Sequence, residues 1–124
     1  MFLTLNHQKL EVYKASQELV LECYRFSKHL PADEKFGMIS QITRAAVSIP
    51  ANIAEGSSRN SDKDYARFLQ ISLGSAFEVQ TYLIIANVMK WASQEDIAEV
   101  EKLLEGVIKM LHKFINTLNK TTGQ

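Results

Sequence analysis

The chain has 124 residues, with 14 basic and 14 acidic side chains, 46% hydrophobic content, 5 Gly, 2 Pro and a single Cys. That is one domain with room for a core, poor in the turn residues a β fold needs. It is also electrically balanced, so no global field draws it to nucleic acid or to a membrane surface.

The opening MFLTLNHQKLEVYK has no charged start followed by a sustained apolar run, so it does not read as a signal peptide. A first helix is predicted over 8–29, with one apolar stripe at Val12, Leu19, Cys23, Phe26 and Leu30 and another at Leu10, Tyr13, Val20 and Tyr24. Two stripes call for cover on more than one side. Pro31 ends this helix, because the residue before a proline disfavours helical geometry. Cys23 lies on an apolar stripe and reads as a buried, inert thiol; alone, it offers no disulfide framework and no cysteine metal site.

Asp33 is expected to cap a second helix over 34–55. Its apolar stripe is Ile42, Ala46, Ile49 and Ile53, and one position round runs a polar stripe of Arg44, Ser48, Asn52 and Glu55. Polar groups spaced this regularly beside a core face pair with each other and a neighbouring helix, or face a partner. Pro50 removes a backbone donor mid-helix and tends to kink it, and Gly56-Ser57-Ser58 reads as the break.

Ser61 and Asp64 form a capping pair for a third helix over 62–90. Gly in a helix interior costs about 1 kcal/mol, so Gly74, next to Ser75, is expected to admit another backbone at close range. The longest apolar run, Tyr82 to Met89, is interrupted by Asn87 and too short to span a bilayer. Ser93 and Asp96 cap a fourth helix over 94–119, where Ile97, Val100, Leu104, Val107, Leu111, Phe114 and Leu118 alternate spacings of three and four. Its acidic residues come early and its lysines late, matching the helix dipole. The tail after Asn119 is expected to fray. Short connections make neighbours antiparallel, so the expected fold is all-α: a single-domain, antiparallel up-down-up-down four-helix bundle.

The residues give little support to catalysis. A carboxylate-bridged metal site in a bundle needs Glu three residues before His, and His7, His29 and His112 all lack it. No cofactor or metal is expected, and no Gly-rich phosphate loop occurs. Glu55 and Glu78 suit an acid–base pair, but are read instead as acceptors for Arg44, Asn52 or a neighbouring subunit. Surplus apolar surface on two long helices points to self-association, with the Arg44-to-Glu55 stripe taking part. Arg44, Arg59, Lys63 and Arg67 form a basic cluster suited to phosphate contacts. Asp62 and Asp64 dilute it, so a solvated face is the competing reading.

The run from Phe36 to Gly56, with Ser48-Ile49-Pro50-Ala51-Asn52-Ile53-Ala54-Glu55-Gly56 at its heart, resembles the 23S rRNA intervening-sequence (S23) protein family. The likeness extends to Val12-Tyr13-Lys14-Ala15, Leu30-Pro31, Glu34, Arg59, Phe68-Leu69, Gly74-Ser75 and Glu78. It implies a four-helix bundle in ring-shaped homopentamers. Some members are encoded within sequences that interrupt ribosomal RNA genes. A similar bundle, the accessory variability protein of diversity-generating retroelements, partners a reverse transcriptase and binds nucleic acid. Many relatives have two adjacent basic residues where this chain has Thr43-Arg44. The expectation is a cytoplasmic, non-enzymatic homo-oligomeric scaffold, pentameric, with RNA or DNA as ligand and no membrane contact. The alternative is an interaction module that docks a partner enzyme without touching nucleic acid.

Overall fold

The computed structural model describes residues 2–121, with side chains from His7 onward. They form helix α1 (Phe2–Ser27), a 3-10 turn (Ala32–Glu34), α2 (Met38–Ser57), α3 (Asp62–Val88) and α4 (Gln94–Thr121). The helices pack in a ring, α1 on α2, α2 on α3, α3 on α4 and α4 back on α1, as in a bundle. Each supplies one stripe to a shared core: Leu19 and Cys23 from α1, Ile42, Ile49 and Ile53 from α2, Leu69, Val79 and Leu83 from α3. All seven residues of the fourth-helix seam are buried, with Phe114 among the largest fully enclosed side chains.

Hydrogen bonds fix the register between helices. Tyr82 donates to the Gln41 side chain at 3.3 Å, whereas Ser75 meets Ser48 at 2.9 Å and Ser72 donates to the Ile49 carbonyl at 2.9 Å. Positions therefore rise along α2 as they fall along α3. Gln8 donates to Thr117 at 3.2 Å, tying the start of α1 to the end of α4.

Helix ends differ from expectation in several places, beginning with α1, which spans Phe2–Ser27 rather than 8–29. The carboxylate of Glu34, not Asp33, accepts from the Met38 N–H at 3.2 Å, and α2 starts there because Gly37 is not helical. Gly56 and Ser57 are not a break; α2 runs through both. At the other end, α3 stops at Val88 because Lys90 takes a left-handed conformation (φ 61). The Trp91 N–H then closes the helix end on the Ala86 carbonyl at 3.0 Å. Finally, Lys120 and Thr121 continue α4, and the Thr121 hydroxyl bonds the Asp62 carboxylate; the rest of the tail lies outside the described residues. The expected caps at Ser61 and Ser93 do form, each accepting from a backbone N–H at 3.1 Å.

Although its longest uninterrupted apolar run is short, α3 is, among the described residues, the one helix long and apolar enough to cross a membrane by length and composition. A core helix acquires such a composition, and 39% of its most apolar window is buried in the bundle.

Candidate functional site

The polar stripe of α2 divides into a buried part and an exposed part. Asn52 donates to the Ser48 carbonyl at 2.8 Å and to its hydroxyl at 3.0 Å, and Ser48 meets Ser75 of α3. This Asn52–Ser48–Ser75 chain lies one turn from Pro50, which supplies no N–H of its own, and Ser72 reinforces the contact from the α3 side. At the centre of the stripe, Asn52 and Ser48 bond one another. Glu55 departs from expectation: exposed, it accepts from Arg59 at 2.6 Å rather than from Arg44 or Asn52. A carboxylate near solvent is satisfied by the nearest cation, one helical turn away.

Arg44 and Glu78 flank a shallow groove of about 270 Å³ above Ser48 and Ser75. Both are exposed, and neither makes an ion pair among the described residues. Glu55 and Glu78 do not meet. They lie on opposite sides of the Ser48–Ser75 contact, about 15 Å apart along the helix axes at ~1.5 Å per residue. A carboxylate pair for acid–base chemistry is therefore absent from this arrangement.

The basic cluster also splits. Arg44 sits about 20 Å along α2 from the α2–α3 connection. Arg59, Lys63 and Arg67 gather at that connection, where the two guanidinium groups lie 4.4 and 4.8 Å from the Phe68 ring centroid. Arg59 is paired with Glu55 and Arg67 with Asp64 at 3.0 Å, so of the three only Lys63 carries no ion pair among the described residues. Lys63 and Arg67 border an open groove of about 560 Å³ that reaches Asn119 of α4.

Close packing falls on a different glycine from the one expected. A methyl at Gly74 meets nothing within 4 Å, whereas one at Gly56 comes to 2.7 Å from the Tyr65 ring and 2.9 Å from Phe68 Cβ. Gly56 is where α3 folds back on α2. Ser75 is a genuine close contact, buried against Ser48.

Sequence periodicity also left an apolar groove unassigned to either helix alone. Tyr13, Gln17 and Val20 of α1 and Val47, Pro50, Ala51 and Ala54 of α2 line a depression of about 320 Å³. The second stripe of α1 is half-buried at Tyr13 and Val20 and turns outward at its ends, with Leu10 57% and Tyr24 49% exposed. Cys23 is fully buried, and burial, helped by Glu22, pushes its thiol up to about 12, so it is no nucleophile. The described histidines sit in solvent, His7 near Glu11 and His29 near Asp96. Among the described residues no group of three His, Cys, Asp or Glu side chains is placed to hold a metal.

The model of the 23S rRNA-intervening sequence protein family matches residues 8–113. The chain belongs to this family. A crystal structure at 1.70 Å of a protein of unknown function from the S23 ribosomal protein family of Bacteroides thetaiotaomicron VPI-5482 has the same fold. It is 26% identical, with a TM-score of 0.80 over 88% of this chain and 98% of that one. No curated protein matches the chain. Within this member of the family, the segment that carries the resemblance does three jobs. Ile49 and Ile53 fill the core, Ser48, held by Asn52, fastens α2 to α3, and Gly56 lets the α3 rings pass.

Proposed function

We propose that this chain is a non-enzymatic scaffold that assembles with copies of itself. The observation that carries the reading is the apolar groove between α1 and α2, together with the exposure of Leu10 and Tyr24 on α1. A four-helix bundle buries one stripe per helix, and a second one left in water marks an interface. An up-down-up-down order suits this role and is supported by the contacts Gln41–Tyr82, Gln8–Thr117 and Asp62–Thr121. Five copies is the number that the family resemblance implies, and a cytoplasmic setting agrees with one free, buried thiol. Light scattering after size exclusion tests the proposal. The expected result is a closed oligomer that the groove substitution Ala51→Arg reduces in size with helicity intact. A species of 14.1 kDa at micromolar concentration refutes it.

A second reading, favoured by the gathering of Arg59, Lys63 and Arg67 around Phe68, gives the assembly nucleic acid as ligand. With two of these cations already paired, each copy offers little free charge, and affinity comes from repetition around the assembly. Sequence-tolerant binding at low salt, lost near physiological salt and abolished by Arg59→Glu with Arg67→Glu, is the expected result in an anisotropy titration. No binding to RNA or DNA at low salt leaves docking of a partner protein as the role of the scaffold.

A further inference from the structure

Between Arg67 and Lys90, α3 carries one charged residue, Glu78. Its outward face nevertheless keeps a regular order: Gln70, Gly74, Phe77, Thr81, Ile84 and Val88, spaced alternately by four and three, and all exposed. That is the spacing by which one helix packs along another. It repeats on the outside of the bundle the pattern that α4 uses on the inside. Phe77 is 44%, Ile84 56% and Val88 72% exposed.

The sizes along this seam are ordered as well. Aligning two copies of α3 in parallel stacks Phe77 on Phe77, Ile84 on Ile84 and Gly74 on Gly74, alternating overlap with void. Antiparallel alignment about a two-fold axis near position 79 sets Phe77 against Thr81, Ile84 against Gly74 and Val88 against Gln70. Each large apolar side chain then meets a small or flexible one. On the flank towards α2, Ile71 meets Ile85, and the two Glu78 carboxylates approach across the axis beside the two Arg44 guanidinium groups. Neither Arg44 nor Glu78 makes an ion pair within the single chain among the described residues. Gly74, which needs no space inside its own bundle, acquires a reason there.

We propose that α3 is a self-complementary docking surface for a second copy of this chain, paired antiparallel through Phe77–Thr81 and Ile84–Gly74. The proposal rests on the self-assembly reading above but uses a different face of the bundle. A two-fold contact doubles the number set by the α1–α2 face: a ring of five becomes ten, and a lone bundle becomes two.

Cysteine cross-linking tests it, because the native Cys23 is fully buried and stays out of the exchange. Phe77→Cys and Thr81→Cys variants, one carrying a mass tag, are co-expressed and oxidised. The expected product is the mixed 77–81 cross-linked pair, with little of either variant bonded to its own kind. The charge swap Arg44→Glu with Glu78→Arg keeps the cross-link, whereas Glu78→Arg alone reduces it at least tenfold. Self-bonded Phe77→Cys pairs, or no mixed pair in a chain that light scattering shows to be oligomeric, overturn the α3 contact and leave self-assembly standing. A monomeric wild type overturns both.

Discussion

Replacing Gly56 and Gly74 in turn by alanine exchanges the same hydrogen for the same methyl on two helix interiors, with opposite results expected. At Gly56 the new Cβ lies 2.7 Å from Tyr65 Cδ1 and 2.9 Å from Phe68 Cβ, nearly 1 Å inside normal contact. The Tyr65 ring cannot swing away freely, since it packs edge-on against Phe114 with centroids 5.2 Å apart. Phe68 Cβ is attached to the α3 backbone, so relief there means moving α3 off α2. Overpacking of this kind costs roughly 1–3 kcal/mol, and the better helix propensity of alanine returns about 1 kcal/mol. The expected net is a loss of up to about 2 kcal/mol. At this chain length that is a fall in Tm of roughly 3–5 °C for each kcal/mol. At Gly74 the methyl enters open space, so only the propensity term remains, a gain of about 0.5–1 kcal/mol. Urea unfolding followed by circular dichroism, at a protein concentration low enough to dissociate the α3 contact, reads both values. In concentrated protein the Gly74 variant loses part of its advantage, because the methyl sits beneath Ile84 of the second copy. A Gly56→Ala protein stabilised as much as Gly74→Ala at low concentration would refute the close-approach argument.

Two further outcomes follow from the helix ends and the buried ionisable groups. Lys90 holds φ at 61, which is strained for an L residue by roughly 1–2 kcal/mol, so Lys90→Gly is expected to raise stability by about 0.5–1 kcal/mol after the flexibility of glycine in the unfolded chain is counted; an unchanged or lower urea midpoint refutes this. Burial raises the Cys23 thiol from 9.0 to about 12 and the Tyr65 hydroxyl from 10.0 to about 12. Both stay protonated in the fold where the unfolded chain has ionised, so stability is intact below pH 9.0 and falls as pH climbs towards about 12. Urea midpoints taken from pH 8 upward are expected to decline from near 9, and in Cys23→Ala from nearer 10, where Tyr65 takes over.

The parts of the fold legible in the sequence are those decided within one helical turn or by one repeating spacing. The seam of α4 alternates three and four, and every member is buried because only one face of that helix is apolar. The Ser61 and Ser93 caps depend on residues three apart. Asn52 reaching Ser48 is likewise a contact one turn long. What escaped the sequence depended on the register between helices. That Ser48 meets Ser75, and that Tyr65 and Phe68 pass over Gly56, requires knowing how far α3 slides along α2 before packing. The start of α2 turned on Lys35–Gly37, where a non-helical Gly37 hands the cap from Asp33 to Glu34.

The candidate site was legible in its residues and not in their pairing. Short polar side chains next to the core have few partners, so Asn52 found Ser48 one turn away and Ser48 in turn found Ser75 across the helix contact. Long charged ones choose among many: Glu55 took Arg59, Arg67 took Asp64, and Arg44 was left some 20 Å from the cations grouped with it. Helix α3 makes the same point in apolar terms. Its buried face is built largely of small residues, Ala66, Ser72, Ser75, Ala76 and Ala86, which let α2 and α4 come close. Beside the buried Leu69, Leu73, Val79 and Leu83, further bulk lies on the other side, in Phe77, Ile84 and Val88. A large apolar side chain stabilises a fold by about 1.5–3 kcal/mol when fully buried and by little of that when left in water. A lone bundle gains nothing from placing volume outside and economy of space within. Two bundles joined along α3 gain from both, and the gain requires the ordering of large and small residues that the seam possesses.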